Sequence, residues 1–261
     1  MIPARSSTPE SDLGSPSAAP LIQRVAAQAR LEIGLILGNG EQLLVAIVLP
    51  VLLLVALRSV SVPDLGAGRR IDVLTPGVLA LAVISTSFTG QAIATGFDRR
   101  YGVLRLLGTT PLGRSGLVAG KVLAVLVIQA LQMVVVGAIA LALGWQPRVL
   151  GVLPALLAVT LGTAAFVSLA LLLAGTLRAE ATLAAANLVW VLLVAGGGVL
   201  VPVTQLPGSL ARVASALPSG ALGEAMRVAL VDGQVAWGPC AVLALWTLAA
   251  GAAAARWFRW D

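Results

Sequence analysis

The sequence contains no histidine, so it offers no imidazole base, no Ser-His-Asp triad and no histidine metal site. One cysteine, Cys240, allows neither an internal disulfide nor a Cys-rich zinc cage. Charge is scarce as well. Only 11% of the 261 residues are charged, whereas a soluble domain carries about 25%. Sixteen of the seventeen basic residues are Arg, scattered at the edges of apolar runs. No basic tract with interleaved aromatics occurs, so the net charge of +6 gives no sign of a nucleic-acid partner. No nucleotide loop is present either. The nearest approach, Gly116-Leu-Val-Ala-Gly120-Lys121-Val122, has the wrong glycine spacing and places Val122 where a Ser or Thr should bind magnesium.

What the chain has in abundance is apolar sequence. Hydrophobic residues make up 59% of it and the mean hydropathy is +0.99. Too little polar surface remains to cover a core of this size in water, and lipid is the remaining solvent. Charge-free stretches run Gln42–Leu57, Val73–Phe97, Val122–Pro147, Val149–Leu177, Ala181–Ala211 and Gly233–Ala255. A spanning helix needs about 20 apolar residues. The first stretch is short and contains Pro50, but Glu41 and Arg58 at its ends can snorkel to the interfaces. The expected fold class is therefore all-α, a polytopic membrane protein with six transmembrane helices over residues 41–261.

Basic residues set the expected orientation. With the N-terminus inside, cytoplasmic segments hold Arg5, Arg24, Arg30, Arg99, Arg100, Arg105, Arg114, Lys121, Arg178, Arg256 and Arg259. The other side holds Arg58, Arg69, Arg70, Arg148, Arg212 and Arg227. Eleven against six predicts both termini in the cytoplasm of a cell membrane. Trp145 and Trp237 then fall at the outer interface. Residues 1–20, rich in Ser, Pro and Ala, read as a disordered cytoplasmic tail without signal-peptide character.

Residues 21–40 read as an amphipathic helix lying in the membrane surface. At 100° per residue Ile22, Val25, Ala26, Ala29, Ile33 and Ile36 share one face, with Gln23, Arg24, Gln28 and Arg30 opposite. Gly34 and Gly38 add a Gly-x3-Gly spacing. No ionisable residue is expected near the middle of any span, which argues against harvesting an ion gradient. The neutral polar residues Ser85, Thr86, Ser87, Thr89, Gln91, Gln129, Gln132 and Asn187 read as interhelical hydrogen-bonding groups in preference to a substrate path.

The longest cytoplasmic loop reads DRRYGVLRLLGTTPLGRSGLVAGK, from Asp98 to Lys121. Leu104, Leu107 and Leu112 follow an approximate helical period, interrupted at Thr109-Thr110-Pro111, and Arg99, Arg100, Arg105 and Arg114 surround it. A short amphipathic helix of this kind can dock into a groove on a soluble partner. The order Asp98, Gly102, Leu106, Leu107, Thr110, Pro111, Arg114, Gly120, Lys121 resembles permeases of type-2 ABC exporters, the daunorubicin-resistance-like group. Arg100 and Arg105 stand where that group commonly has acidic residues, and Val103 replaces a frequent Thr.

A second match begins at Pro202-Val-Thr-Gln-Leu-Pro207 and continues through Leu217-Pro218-Ser-Gly220 to Glu224-Ala-Met-Arg227. There the resemblance implies outer re-entrant helices over about residues 204–232, before the last span. Glu224 and Arg227 are spaced to pair. Glu224-Ala225-Met226 is not the coupling loop of an ABC importer, because its glycine, Gly233, lies too far downstream.

The resemblance implies a permease subunit of an ATP-driven exporter, moving a hydrophobic or amphipathic drug, lipid or lipid-linked molecule. It further implies a separate ABC ATPase docked on the Asp98–Lys121 loop, with Leu106 and Leu107 as apolar anchors, and a homodimer or paired permease among membrane lipids. No cofactor and no catalytic residue is expected. Two other classes remain as alternatives, a membrane lipid-processing enzyme and a non-catalytic assembly subunit. For the enzyme, Asp64 and Asp72 beside Arg69 and Arg70 match no catalytic spacing. An Ala- and Arg-rich chain with one Lys points to a GC-rich bacterial genome.

Overall fold

The computed structural model describes residues 19–59 and 69–257, except for the side chain of Arg114. The expected tail over residues 1–20 falls almost wholly outside the described residues, as does Asp64. Helix α1 spans Leu21–Gly38 and starts after Pro20. Asn39 breaks it, and its side-chain Oδ1 accepts from the Gln42 N–H at 3.1 Å, which starts α2, Gly40–Ser59. Glu41 in the first turn of α2 and Arg58 in the last complement the helix dipole. The next span is one rod in three parts. These are α3, Arg70–Ile84, a π-helical turn, Ser85–Gly90, and α4, Gln91–Arg100. The hydroxyls of Ser85 and Ser87 donate back to Leu81 O and Val83 O, competing with the regular ladder where the helix widens.

A short α5, Val103–Gly108, leads into α6, Gly113–Ala142. A 3₁₀ turn, Val149–Gly151, opens α7, Val152–Thr176, which is followed by α8, Ala179–Gly196. The charge-free run Ala181–Ala211 is therefore not one span. Gly196-Gly197-Gly198 ends α8, since three consecutive glycines forfeit about 1 kcal/mol each in helix propensity. Two short helices follow, α9, Gly208–Ala216, and α10, Pro218–Arg227, the latter running into a π turn, Val228–Asp232. The last helix, α11, covers Trp237–Trp257.

Among the described residues, six helical segments are long and apolar enough to cross a membrane: Gly40–Ser59, Arg70–Arg100, Ser115–Ala142, Val149–Thr176, Ala179–Gly196 and Trp237–Trp257. The chain is a multi-pass membrane protein. Burial divides these segments sharply. The most apolar window of Arg70–Arg100 is 78% buried, but that of Gly40–Ser59 is 11% and that of Ala179–Gly196 is 17%. The α3–α4 rod is thus the interior of the bundle, whereas α2 and α8 present apolar side chains outward. Helix α7 packs against α11, α4, α6 and α10.

Neutral polar side chains stitch this interior together. Thr163 donates to Gln129 Oε1 at 2.6 Å, joining α7 to α6. Thr86 donates to Gln132 Oε1 at 3.1 Å, and Gln132 Nε2 donates to Ala46 O at 2.8 Å. Trp190 Nε1 donates to Ser85 Oγ at 3.0 Å, tying α8 to the π turn. Ser85, Thr86, Gln129 and Gln132 bond between helices as expected, whereas Ser87 donates within its own helix and the buried Thr89 Oγ1 and Gln91 Oε1 have no partner among the described residues. Asn187 is exposed and donates only to Leu183 O, within its own helix. Trp145 is buried in the core instead of displayed on a rim, whereas Trp237 is exposed.

Candidate functional site

The loop between α4 and α6 is held between two left-handed glycines. Gly102 has φ 75° and Gly113 has φ 70°, a region that side-chain-bearing residues rarely adopt, so each turn calls for glycine. Between them, the Thr109 and Thr110 hydroxyls donate to Leu106 O and Leu107 O at 2.7 and 2.6 Å. These bonds terminate α5 ahead of Pro111. Leu104 and Leu112 turn inward, joining Leu117, Val125, Val167, Leu171 and Ala254 in a small apolar cluster. Leu106 points away and is 70% exposed. Leu107 packs partly against the cluster. The two expected anchors are therefore not equivalent, and Leu106 is the one displayed.

Beneath the loop lies an ion cluster built on the sole lysine. Lys121, near the start of α6, is fully buried. Its Nζ lies 2.7 Å from Glu32 Oε1 on α1 and 3.4 Å from Asp98 Oδ2 on α4. Gln28 Nε2 donates to the same Glu32 oxygen at 2.9 Å. A buried ammonium without partners would cost several kcal/mol, so this side chain fixes α1 and α4 against α6. Gly120 makes the approach possible. A Cβ there would fall 2.7 Å from Gln28 Cγ, so any larger residue would push α1 away.

The face of α1 that meets the protein is largely the one its periodicity predicts, with Val25, Ala26, Ala29, Ile33 and Ile36 buried or half-buried, but it is widened by Gln28 and Glu32 and loses Ile22. Gln28, Ala29 and Glu32 are buried against α6, whereas Ile22 is 83% exposed. Cβ atoms at Gly34 and Gly38 would have nothing within 4 Å, so that Gly-x3-Gly pair mediates no contact among the described residues. Glu32 and Gln28 belong to the site and carry no signal in the sequence patterns considered above. The isolated Lys beside Gly120 is the one residue that could have pointed to them.

Of the basic residues expected to ring the loop, Arg99 and Arg100 bond to the α7–α8 region, and Arg24 joins the loop from α1. Arg24 on α1 donates to Pro111 O. Arg99 donates to Leu177 O at 3.2 Å, closing the end of α7. Arg100 pairs with Glu180 at the start of α8. Arg105 is exposed on α5. Arg114 sits in the first turn of α6, and its side chain lies outside the described residues.

At the opposite end of the helices, Pro207 precedes α9 and Pro218 is the buried first residue of α10. Glu224 Oε2 lies 3.1 Å from Arg227 Nη1, and Arg227 Nη2 donates to Gly198 O at 2.8 Å and to Val199 O. Arg227 therefore pairs as spaced and also satisfies the carbonyls freed where α8 ends.

A family model described as ABC-2 family transporter protein matches residues 69–256, from the start of α3 almost to the end of α11. The chain belongs to the ABC-2 transporter family. In this ABC-2 permease the match includes Asp98, Lys121 and the whole loop between them, and stops short of α1. Glu32 thus reaches into the matched region from outside it. The family is one of transport membrane subunits that pair with an ABC ATPase. No curated protein matches the chain.

Proposed function

We propose that this ABC-2 permease is the membrane subunit of an exporter, driven by a separate ATPase that docks on the Asp98–Lys121 loop. The observation carrying this reading is the loop itself. It displays Leu106 to solvent and is anchored from below by Lys121 to Glu32 and Asp98. A force applied at α5 reaches α1, α4 and α6 through that buried cluster as one body, the kind of rigid coupling that switches a transporter between two states. The cargo in this reading is hydrophobic or amphipathic, a drug, a lipid or a lipid-linked molecule, because the polar side chains between the spans at Thr86, Gln129, Gln132 and Thr163 are neutral and bonded to one another or to backbone. The outward apolar faces of α2 and α8 serve lipid and a second permease copy. Residues 204–232 dip back into the membrane from the outer side, supported by their division into helices too short to span.

The purified permease alone should hydrolyse no ATP. Reconstituted in vesicles with its partner ABC ATPase, it should support ATP-dependent movement of an amphipathic dye. Hydrolysis by the isolated chain, free of contaminating ATPase, would refute the division of labour. Orientation has its own test. With both termini in the cytoplasm, a cysteine introduced at Arg148 should react with an impermeant maleimide outside intact cells. A cysteine introduced at Arg105 should not react, and the reverse pattern would invert the assignment.

A further inference from the structure

A crevice of about 270 Å³ lies where α1 meets the loop, walled by Arg24, Ala27 and Leu31 on one side and Leu107, Thr110 and Leu112 on the other. Its polar end is unsatisfied. Arg24 Nη1 donates to Pro111 O, but Arg24 Nε is buried and has no hydrogen-bond partner. A desolvated guanidinium N–H without an acceptor is costly, and an anionic oxygen is the acceptor that fits it best. Surrounding charge has one sign. Among the described residues, Arg24 is the one charged residue lining the crevice, and Glu32, the acidic residue of α1, is turned away into the bond with Lys121.

The other end of the crevice opens onto an apolar lane. Leu31 is 54% exposed and Leu35, one turn further along α1, is 62% exposed. Gly34 and Gly38 beside them meet no neighbouring atoms. From Arg24 to Leu35 the helix rises about 16 Å at 1.5 Å per residue. That length matches one extended acyl chain, which reaches about half of a hydrocarbon core roughly 30 Å thick.

We propose that the junction of α1 with the Asp98–Lys121 loop is a binding site for one anionic phospholipid of the leaflet that the loop faces. Its phosphate sits on Arg24, and one acyl chain lies along Leu31 and Leu35. An acidic side chain from a protein partner would satisfy Arg24 but leave the lane bare, whereas an amphiphile covers both. The site deepens the exporter reading, and rests on it for the meaning of the loop. A lipid bound there stiffens the contact between α1 and the segment that receives the ATPase.

The test uses the full-length permease without ATPase, titrated with phosphatidylglycerol or phosphatidylcholine of identical acyl chains and read by native mass spectrometry. One phosphatidylglycerol should bind in preference to phosphatidylcholine. Arg24→Gln should weaken it about five- to tenfold, the scale of one basic contact at a membrane surface. Ala27→Trp, which fills the crevice from an exposed position, should weaken it as well, and Arg30→Gln should not. Equal binding of the two lipids, or wild-type affinity in both Arg24→Gln and Ala27→Trp, overturns the proposal. If Arg24→Gln loses ATPase on co-purification and keeps the lipid, the crevice belongs to the ATPase and the lipid site is refuted. Because lipid binding is read without ATPase, its failure leaves the exporter reading standing. Failure of ATPase docking, in turn, leaves the lipid result intact.

Discussion

Lys121→Met is expected to cost the isolated permease about 3–5 kcal/mol, the penalty for breaking a buried ion pair by removing one partner. The substitution leaves Glu32 and Asp98 facing each other with no cation between them, in a site where Lys121 is fully enclosed. The loss should appear as a drop in the temperature of half-aggregation in detergent, on the order of 10 °C. The triple variant Glu32→Gln, Asp98→Asn, Lys121→Met should regain most of the stability. Replacing a whole buried ion cluster by neutral groups of similar shape is often neutral, unlike removal of one member. If the triple variant is no more stable than Lys121→Met, the cluster does not act as a unit. The fixation of α1 against α6 must then come from packing at Gly120.

Leu106→Asp should abolish co-purification of the ATPase while leaving permease yield and melting unchanged. Leu106 is 70% exposed, so the permease by itself loses almost nothing when it is replaced. Buried in a partner groove, a leucine side chain contributes about 1.5–3 kcal/mol. A carboxylate in its place adds a desolvation cost on top. Together these weaken docking by roughly a hundredfold or more at 1.4 kcal/mol per decade. Leu107→Asp should behave differently, because Leu107 packs on the cluster of Leu104, Leu112 and Leu117. It should lower the melting temperature of the permease itself. Equal effects of the two changes on the permease alone would contradict the assignment of Leu106 as the displayed residue.

The spans were legible because a charge-free apolar run of about 20 residues has few alternatives in lipid. Residues 181–211 show where that signal fails. Absence of charge does not separate a helix from the glycine break at residues 196–198 and the short α9 that follows. The loop was legible from its glycines, Thr-Pro and leucines, although adjacency alone could not tell Leu106 from Leu107. That distinction depends on the pitch of one helical turn, set by Gly102 and the Thr109 and Thr110 hydroxyls. The ion cluster was hidden because Glu32, on α1, lies far in the chain from the loop that Asp98 and Lys121 bracket. Periodicity placed Gln28 on the outward face of α1, since it weighs each residue alone and cannot see Lys121 waiting across the helix contact. Arg99 and Arg100 were misjudged for the same reason. Their partners, Leu177 O and Glu180, come from the connection between α7 and α8.

The central claim, that a separate ATPase docks on α5, is tested most directly by a photo-crosslinking amino acid at position 106 in native membranes. A control at position 134 is comparably exposed, 69%, within the membrane-spanning part of α6. After irradiation, the position-106 variant should yield one crosslinked product containing the ATPase, and the control should yield none. An ATPase that crosslinks equally at both positions, or at neither while still co-purifying with the permease, would contradict docking at this loop.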